Sequence, residues 1–256
     1  VNTSRGPIKA GILVGADGVN SLVARRLGLS SKRRVLQALE AEVYYHDFDR
    51  LTDFHDRIYF DFGVVPYGYA WVFPKKDHLS VGLTTHNLSI KDLRPYWAEY
   101  LERRSLATGY QVRSMHAALI PVGPEPQAGL SNKCGLLIGD AAGLTDPITA
   151  EGLYYAFKST MLASEIIFGA LEDGWGMLPL YTKMMAMEFY RDLTAADKIG
   201  RLLYQWPRLG HWLMRVNGQK LGQYMIKVMA GEVNYADILK KARHPYNWLK
   251  AVGLAR

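Results

Sequence analysis

The sequence predicts an α/β fold, α+β when the whole chain is counted, and three features of its 256 residues predict it. Two segments each run from a short apolar strand through a small-residue turn into a helix. Between them lies a stretch of alternating strands, which predicts an inserted mixed β-sheet. After Asp173-Gly174 the pattern is helical to the end. These features divide the chain into residues 1–32 and 122–172 as two parts of one ligand-binding domain, 33–121 as a sheet domain, and 173–256 as a helical region.

The first segment is Lys9-Ala-Gly-Ile-Leu-Val14, then Gly15-Ala16-Asp17-Gly18, then a helix from Ser21. Ser21 suits the N-cap, because its hydroxyl can accept from an early amide, and Gly28 suits the stop. In the sheet domain, Leu36–Tyr45, Arg57–Phe62, Tyr69–Phe73, His78–Leu83 and Gln111–Ile120 read as strands. Ile90–Ser105 reads as a helix, with Ser89 as its cap and Asp92 three residues on. Alternation sets Tyr69, Trp71 and Phe73 on one strand face. That stripe suits either an aromatic core face or the wall of a channel for a long, apolar, unsaturated substrate.

Pro121-Val-Gly-Pro-Glu-Pro126 is a stiff return to the first domain. In the second segment, Leu136–Ile138 is too short for a helix and suits a buried parallel strand. Asp140 then stands at its carboxyl end, where open α/β sheets place their ligands. Pro147 and Gly152 bracket the start of a helix over Glu151–Leu171, whose first amides lack partners within it. Such a start attracts an anion or an electron-rich heteroatom. One carboxylate for a hydroxyl and one helix N-terminus for a polar ring edge together suit a flavin.

Net charge is +7, and it is unevenly placed. From Lys198 to Arg256 eleven Lys or Arg face only Glu232 and Asp237, a net +9, so the preceding residues are net −2. Trp206, Trp212, Tyr224 and Trp248 interleave with these charges, as in helices lying on an anionic membrane surface or capping a protein body. No nucleic-acid-binding module accompanies the charge, so nucleic acid is not an expected partner. The single cysteine, Cys134, excludes an intrachain disulfide and a Cys-cluster metal site and suits a reducing, cytoplasmic compartment. Beside the Gly135 strand it reads as a buried structural thiol. His46, His55, His78, His86, His211 and His244 lack metal-ligand spacing, so no metal is expected.

Together the two segments resemble the paired motifs of the FAD-dependent hydroxylase and reductase superfamily, whose FAD-binding domain is Rossmann-like. The early one matches its Asp-Gly motif, ending at Ala24-Arg25-Arg26, and the later its Gly-Asp motif, G-D-A-A-G followed by P-x-x-[GA]-E-G. Pro66-Tyr-Gly-Tyr69-Ala-Trp71-Val-Phe73-Pro74, with Gly82 downstream, resembles the P-x-x-Y-x-W-x-F-P signature of the geranylgeranyl reductase family. The resemblance covers the chain to about residue 172.

This resemblance implies an FAD-dependent oxidoreductase that reduces carbon–carbon double bonds of an isoprenoid or prenyl lipid by hydride transfer from reduced flavin. NAD(P)H or ferredoxin would be its electron donor, and the basic tail would bring it to the membrane periphery. Asp140 would accept from a ribityl hydroxyl, and the Gly152 and Leu153 amides would face the flavin pyrimidine edge. Asp17 and Gly18 would position the cofactor from the Asp-Gly turn, and Gly139, Ala141 and Pro147 belong to the Gly-Asp motif. Tyr69, Trp71 and Phe73 would line the isoprenoid channel. The proton donor is unassigned among Tyr67, Tyr69 and His116.

Two departures from the family pattern stand out. Its G-x-G reads Gly82-Leu-Thr84, and its G-E-G reads Ala150-Glu151-Gly152. Alanine at 150 is tolerable at negative φ and costly at positive φ. The sequence also lacks the G-x-G-x-x-G pyrophosphate loop and an initiator Met. It is therefore expected to be the carboxyl-terminal two-thirds of a longer flavoprotein, holding FAD weakly or not at all when alone. An aromatic hydroxylase or halogenase of the same superfamily, and a noncatalytic lipid-surface remnant, are the competing readings.

Overall fold

The structure is a computed structural model that describes residues 2–29, 33–46, 49–123 and 129–242. Contacts divide the chain into two units: residues 1–34, 121–200 and 219–256 in the first, and 35–120 with 201–218 in the second.

The first unit opens with a small hairpin, β1 (Asn2–Thr3) and β2 (Gly6–Pro7), followed by β3 (Leu13–Gly15) and α1 (Leu22–Arg26). Ser21 caps α1, its hydroxyl accepting the Ala24 amide at 2.8 Å, and Gly28 follows the helix at φ +68°. Most of residues 34–122 then lie in the second unit.

That unit is built on a five-stranded sheet of β4 (Arg34–Tyr45), β5 (Tyr59–Phe62), β6 (Gly68–Pro74), β7 (Leu79–Thr85) and β8 (Tyr110–Val122), in the order β5-β6-β7-β4-β8. The pairs β5–β6, β6–β7 and β7–β4 are antiparallel. A short α2 (Asp49–Thr52) follows β4, and α3 (Arg94–Arg103) follows β7. Because side chains alternate, Ala70 and Val72 join Ala41, Val43, Val81 and Leu83 in a core with Trp97, Tyr100 and Leu101 of α3. Trp97 donates its indole N–H to the Val81 carbonyl at 2.9 Å, which keeps this buried polar group paired.

On the other set of positions, Tyr69 and Trp71 pack with Phe60, Phe62, Phe73 and Ala38. Trp71 lies directly across from Gly82 on β7, and its ring covers that glycine: a Cβ there would stand 2.2 Å from the indole. The indole N–H points at the Ser80 hydroxyl 3.4 Å away.

Helix α3 begins at Arg94 rather than at Ile90. Residues 87–90 form a turn instead: Gln37 of β4 donates to the Asn87 and Ile90 carbonyls, at 2.9 and 2.8 Å. The Asp92 carboxylate accepts the Arg94 amide at 3.0 Å, one residue before Pro95 opens the helix interior. Ser89 is therefore not the cap.

The first unit resumes with β9 (Ser131–Asn132) and β10 (Gly135–Leu137), the latter parallel to β3 and antiparallel to β9. The expectation of a buried Cys134 is corrected: the residue is exposed. It sits in a turn in which the Asn132 side chain accepts the Cys134 and Gly135 amides at 2.8 and 3.1 Å, before the buried strand begins. Then come α4 (Leu153–Asp173), α5 (Leu180–Met185), a π-helical turn over Ala186–Tyr190, α6 (Arg191–Gln205), α7 (Pro207–Met229) and α8 (Tyr235–Ala242). Residues 201–218 of these helices group with the sheet and the rest with the first unit. No helix among the described residues is long and apolar enough to cross a membrane. Residues 124–126 of the proline-rich return lie outside the described residues. So do Arg243, the break at His244-Pro245, Trp248, Lys250 and Arg256 of the basic tail.

Trp71 is 9% exposed and embedded among aromatic neighbours. Trp71→Ala should therefore cost about 3–5 kcal/mol in urea unfolding, the range for a buried tryptophan rather than for one facing open space. Gly82→Ala should cost about 1–3 kcal/mol, because the indole must be displaced.

Candidate functional site

Asp17 and Asp140 both follow strands of one parallel pair, β3 and β10. Their carboxylates do different work. Asp17 accepts the Ser21 hydroxyl at 2.5 Å through one oxygen, and the Leu22 and Val23 amides at 2.7 and 3.1 Å through the other. Desolvation pushes its pKa up, but these bonds outweigh that and hold it below the ordinary aspartate value. Asp17 thus folds the Asp-Gly turn and starts α1, with Gly18 at φ +77° completing the turn.

Asp140 is half-buried and loosely held. Burial lifts its pKa, with the Thr145 hydroxyl and the charge of Arg33 opposing. Its nearest side-chain partner, Thr145, stands 3.5 Å away. An acceptor with so little local satisfaction is suited to a ligand hydroxyl. The turn around it, Gly139–Ala142, is a single 3₁₀ turn anchored on α4: the Gly139 amide donates to the buried Ser159 hydroxyl at 3.1 Å. Ala141 and Ala142 are buried under it.

Arg33, which no local pattern marks, joins the two motifs. Its guanidinium donates to the Val19 carbonyl at 3.3 Å and the Asp140 carbonyl at 3.2 Å, and also to the Ala141 carbonyl. Only contacts between residues distant in sequence could have revealed it.

The loop from Asp146 to Glu151 sets the entry to α4. Asp146 donates its amide to the Glu151 carbonyl and receives the Ala150 amide on its own carbonyl, both at 2.9 Å. Its buried carboxylate accepts the Ile148 and Thr149 amides at 2.7 and 3.0 Å, just after Pro147. This closed loop forces Ala150 to φ +58°, the costly alternative. It delivers the Gly152 and Leu153 amides to the start of a 21-residue helix, where neither has a hydrogen-bond partner among the described residues. The Tyr154 amide is taken by Glu151 at 2.9 Å. A half-satisfied carboxylate and two free amides at a helix start fit the ribityl chain and the pyrimidine edge of a flavin.

The aromatic residues fall elsewhere. Tyr69 and Trp71 are buried and Phe73 is half-buried. A cavity of about 570 Å³ in the second unit is walled by residues 62–68, α3 and residues 203–205, and none of the three lines it. Of Tyr67, Tyr69 and His116, only Tyr67 reaches it, and His116 lies exposed on β8. Among the described residues, no cluster of His, Cys, Asp or Glu could hold a metal ion.

Two outcomes follow from the loop. Ala150→Gly releases about 1–2 kcal/mol of left-handed strain against about 0.5–1 kcal/mol of added chain entropy, so unfolding should show a net gain of up to about 1 kcal/mol. Desolvation lifts the Asp146 pKa despite its amide bonds. As pH falls, the folded state takes up this proton before the unfolded chain does, so the charged group weighs on stability at neutral pH and is relieved in acid. Asp146→Asn keeps the acceptor and removes the charge. Its melting temperature should exceed that of the wild type at about pH 7, and the difference should vanish toward about pH 4, near the ordinary aspartate pKa.

No family model matches the chain. It is 33% identical over 180 residues to digeranylgeranylglycerophospholipid reductase 2 of Methanothermobacter thermautotrophicus, covering 66% of this chain and 45% of that protein. It is 32% identical over 207 residues to digeranylgeranylglycerophospholipid reductase of Methanocaldococcus jannaschii, covering 77% and 51%. A crystal structure of a geranylgeranyl bacteriochlorophyll reductase-like protein from Thermoplasma acidophilum shares the fold, with a TM-score of 0.67 at 24% identity over 77% of this chain and 51% of that one. The chain spans about half the length of these relatives. With both motifs of the parallel pair in place, it belongs to the geranylgeranyl reductase family.

Proposed function

We propose that this chain serves an FAD-dependent reduction of isoprenoid double bonds, with the first unit holding the flavin and the second the substrate chain. The observation that carries this reading is the pairing of half-satisfied Asp140 with the free Gly152 and Leu153 amides at the start of α4. The reductase names of relatives above 30% identity support the same chemistry. Bound FAD, once reduced, supplies the hydride.

The chain's own residues bind and orient. Asp140 accepts from a ribityl hydroxyl. The Gly152 and Leu153 amides, backed by the α4 dipole, stabilise negative charge at the pyrimidine edge. Gly139, Ala141 and Pro147 shape the backbone on which these groups sit, and Asp17 and Gly18 hold the neighbouring turn. Tyr69, Trp71 and Phe73 support the β5–β6 hairpin of the substrate-carrying unit. An isolated alkene is a poor hydride acceptor, so alignment is the protein's main contribution. On α7, exposed Trp212, Val216, Tyr224 and Ile226 alternate with Arg215, Lys220 and Lys227, a composition suited to an anionic membrane surface that supplies a prenyl lipid.

Titrating FAD into the chain, followed by quenching of flavin fluorescence, tests the site. Asp140→Ala removes a charge-assisted acceptor of about 1.5–3 kcal/mol, so the dissociation constant should rise about tenfold or more, with the circular dichroism unchanged. Equal affinity in the variant would remove Asp140 from the flavin site. Incubation of geranylgeranyl diphosphate with chemically reduced FAD and the chain should add two hydrogens to the product by mass spectrometry.

A further inference from the structure

The β5–β6 turn contains a residue in an unusual state. Tyr67 has φ +58°, a conformation that a bulky side chain enters only at a cost. It recovers little by packing, because the residue is 50% exposed. Neighbouring groups hold it there. Thr85 donates its hydroxyl to the Pro66 carbonyl at 2.5 Å, and the His86 amide donates to the Tyr67 carbonyl at 3.1 Å. Gly68 presses so closely on β7 that a Cβ would stand 1.9 Å from the Thr84 carbonyl oxygen. The other exposed non-glycine residue at positive φ in this unit, Ser105, simply follows the end of α3.

Tyr67 lines the cavity of about 570 Å³. Phe62, Val64, Tyr96, Leu203 and Tyr204 supply further walls, so the interior is largely apolar. One charged pair lies on the lining: Glu99 and Arg103, a turn apart on α3, are joined at 2.5 Å with both side chains more than half exposed. Two of these wall residues, Tyr204 and Phe62, stand 6.4 Å apart between ring centroids, and Phe62 stands 5.7 Å from Tyr69 of the aromatic stripe. The aromatic stripe therefore stiffens the hairpin, while the turn lines the cavity.

We propose that this cavity binds the apolar chain of an amphiphile, its polar end at the Glu99–Arg103 rim, and that the strained Tyr67 ring is the wall that sets the fit. It rests on the isoprenoid-reductase reading only for the identity of the natural chain. The size is that of a small-molecule site, and the walls match an apolar chain with a single polar end. The role assigned to Tyr67 is specificity, exerted through its ring.

The probe is cis-parinaric acid, whose fluorescence rises in an apolar site, titrated into the whole chain. Tyr67→Gly removes the wall and relieves the backbone, so its melting temperature should hold or rise while probe affinity falls about tenfold, as for loss of an aromatic anchor. Tyr67→Phe should bind within about twofold of wild type, because the ring and not the hydroxyl forms the wall. Phe157→Ser, on the exposed face of α4, should leave probe binding unchanged. Absence of probe binding, unchanged affinity in Tyr67→Gly, or loss of affinity in Phe157→Ser would each overturn the proposal. The FAD titration is scored separately. Probe binding that depends on Tyr67 keeps the cavity whatever the FAD titration gives, and FAD binding that Asp140→Ala weakens, without any probe binding, would keep the reductase reading and sink the cavity.

Discussion

The parallel pairing of β3 with β10 is the constraint on which the candidate flavin site depends. Leu13, Val14 and Gly15 lie beside Gly135, Leu136 and Leu137, although most of the second unit intervenes in sequence. Parallel strands require a crossover, and here the crossover is a whole sheet-bearing unit rather than one helix. The pairing puts the Asp17 turn and the Asp140 turn after neighbouring strands. Arg33 then locks the two turns by donating to carbonyls on both. A guanidinium suits this task, because its fixed fork of donors can serve several acceptors at once.

Around that frame the chain accepts local costs at the loops of the candidate site and of the cavity. Ala150 enters the left-handed region so that the loop can close on Asp146 and present the Gly152 and Leu153 amides. Asp146 is buried to hold the same loop, at the expense of a raised pKa. Tyr67 repeats the pattern in the second unit. In each case neighbouring hydrogen bonds over-determine the backbone, which is the condition for strain to persist.

The second unit shows how one strand can serve two purposes. Strand β6 gives Ala70 and Val72 to the core under α3, and Tyr69 and Trp71 to the aromatic cluster. A slip of one residue would exchange the two sets, so the pairing of Trp71 with Gly82 also fixes register. Tyr69 and Trp71 of the aromatic signature are buried in that cluster, while the cavity is lined by residues 62–68 together with α3 and residues 203–205.

Local order was legible along the chain. Alternation located β4 through β8 to within a few residues, and the Ser21 cap and the start of α4 were legible because they depend on nearest neighbours along the chain. The acidic and glycine positions of the two motifs likewise marked where the candidate site would be built. Tertiary structure decided the rest. Only the fold could bring Arg33 to Asp140, since that contact spans the second unit. The start of α3 depended on Gln37 reaching across from β4, and the exposure of Cys134 on a turn held by Asn132. The cover that the Trp71 ring gives Gly82 likewise needs the pairing of β6 with β7, which no local pattern supplies. Periodicity assigns a side chain to a face, but its neighbours across that face are chosen by packing.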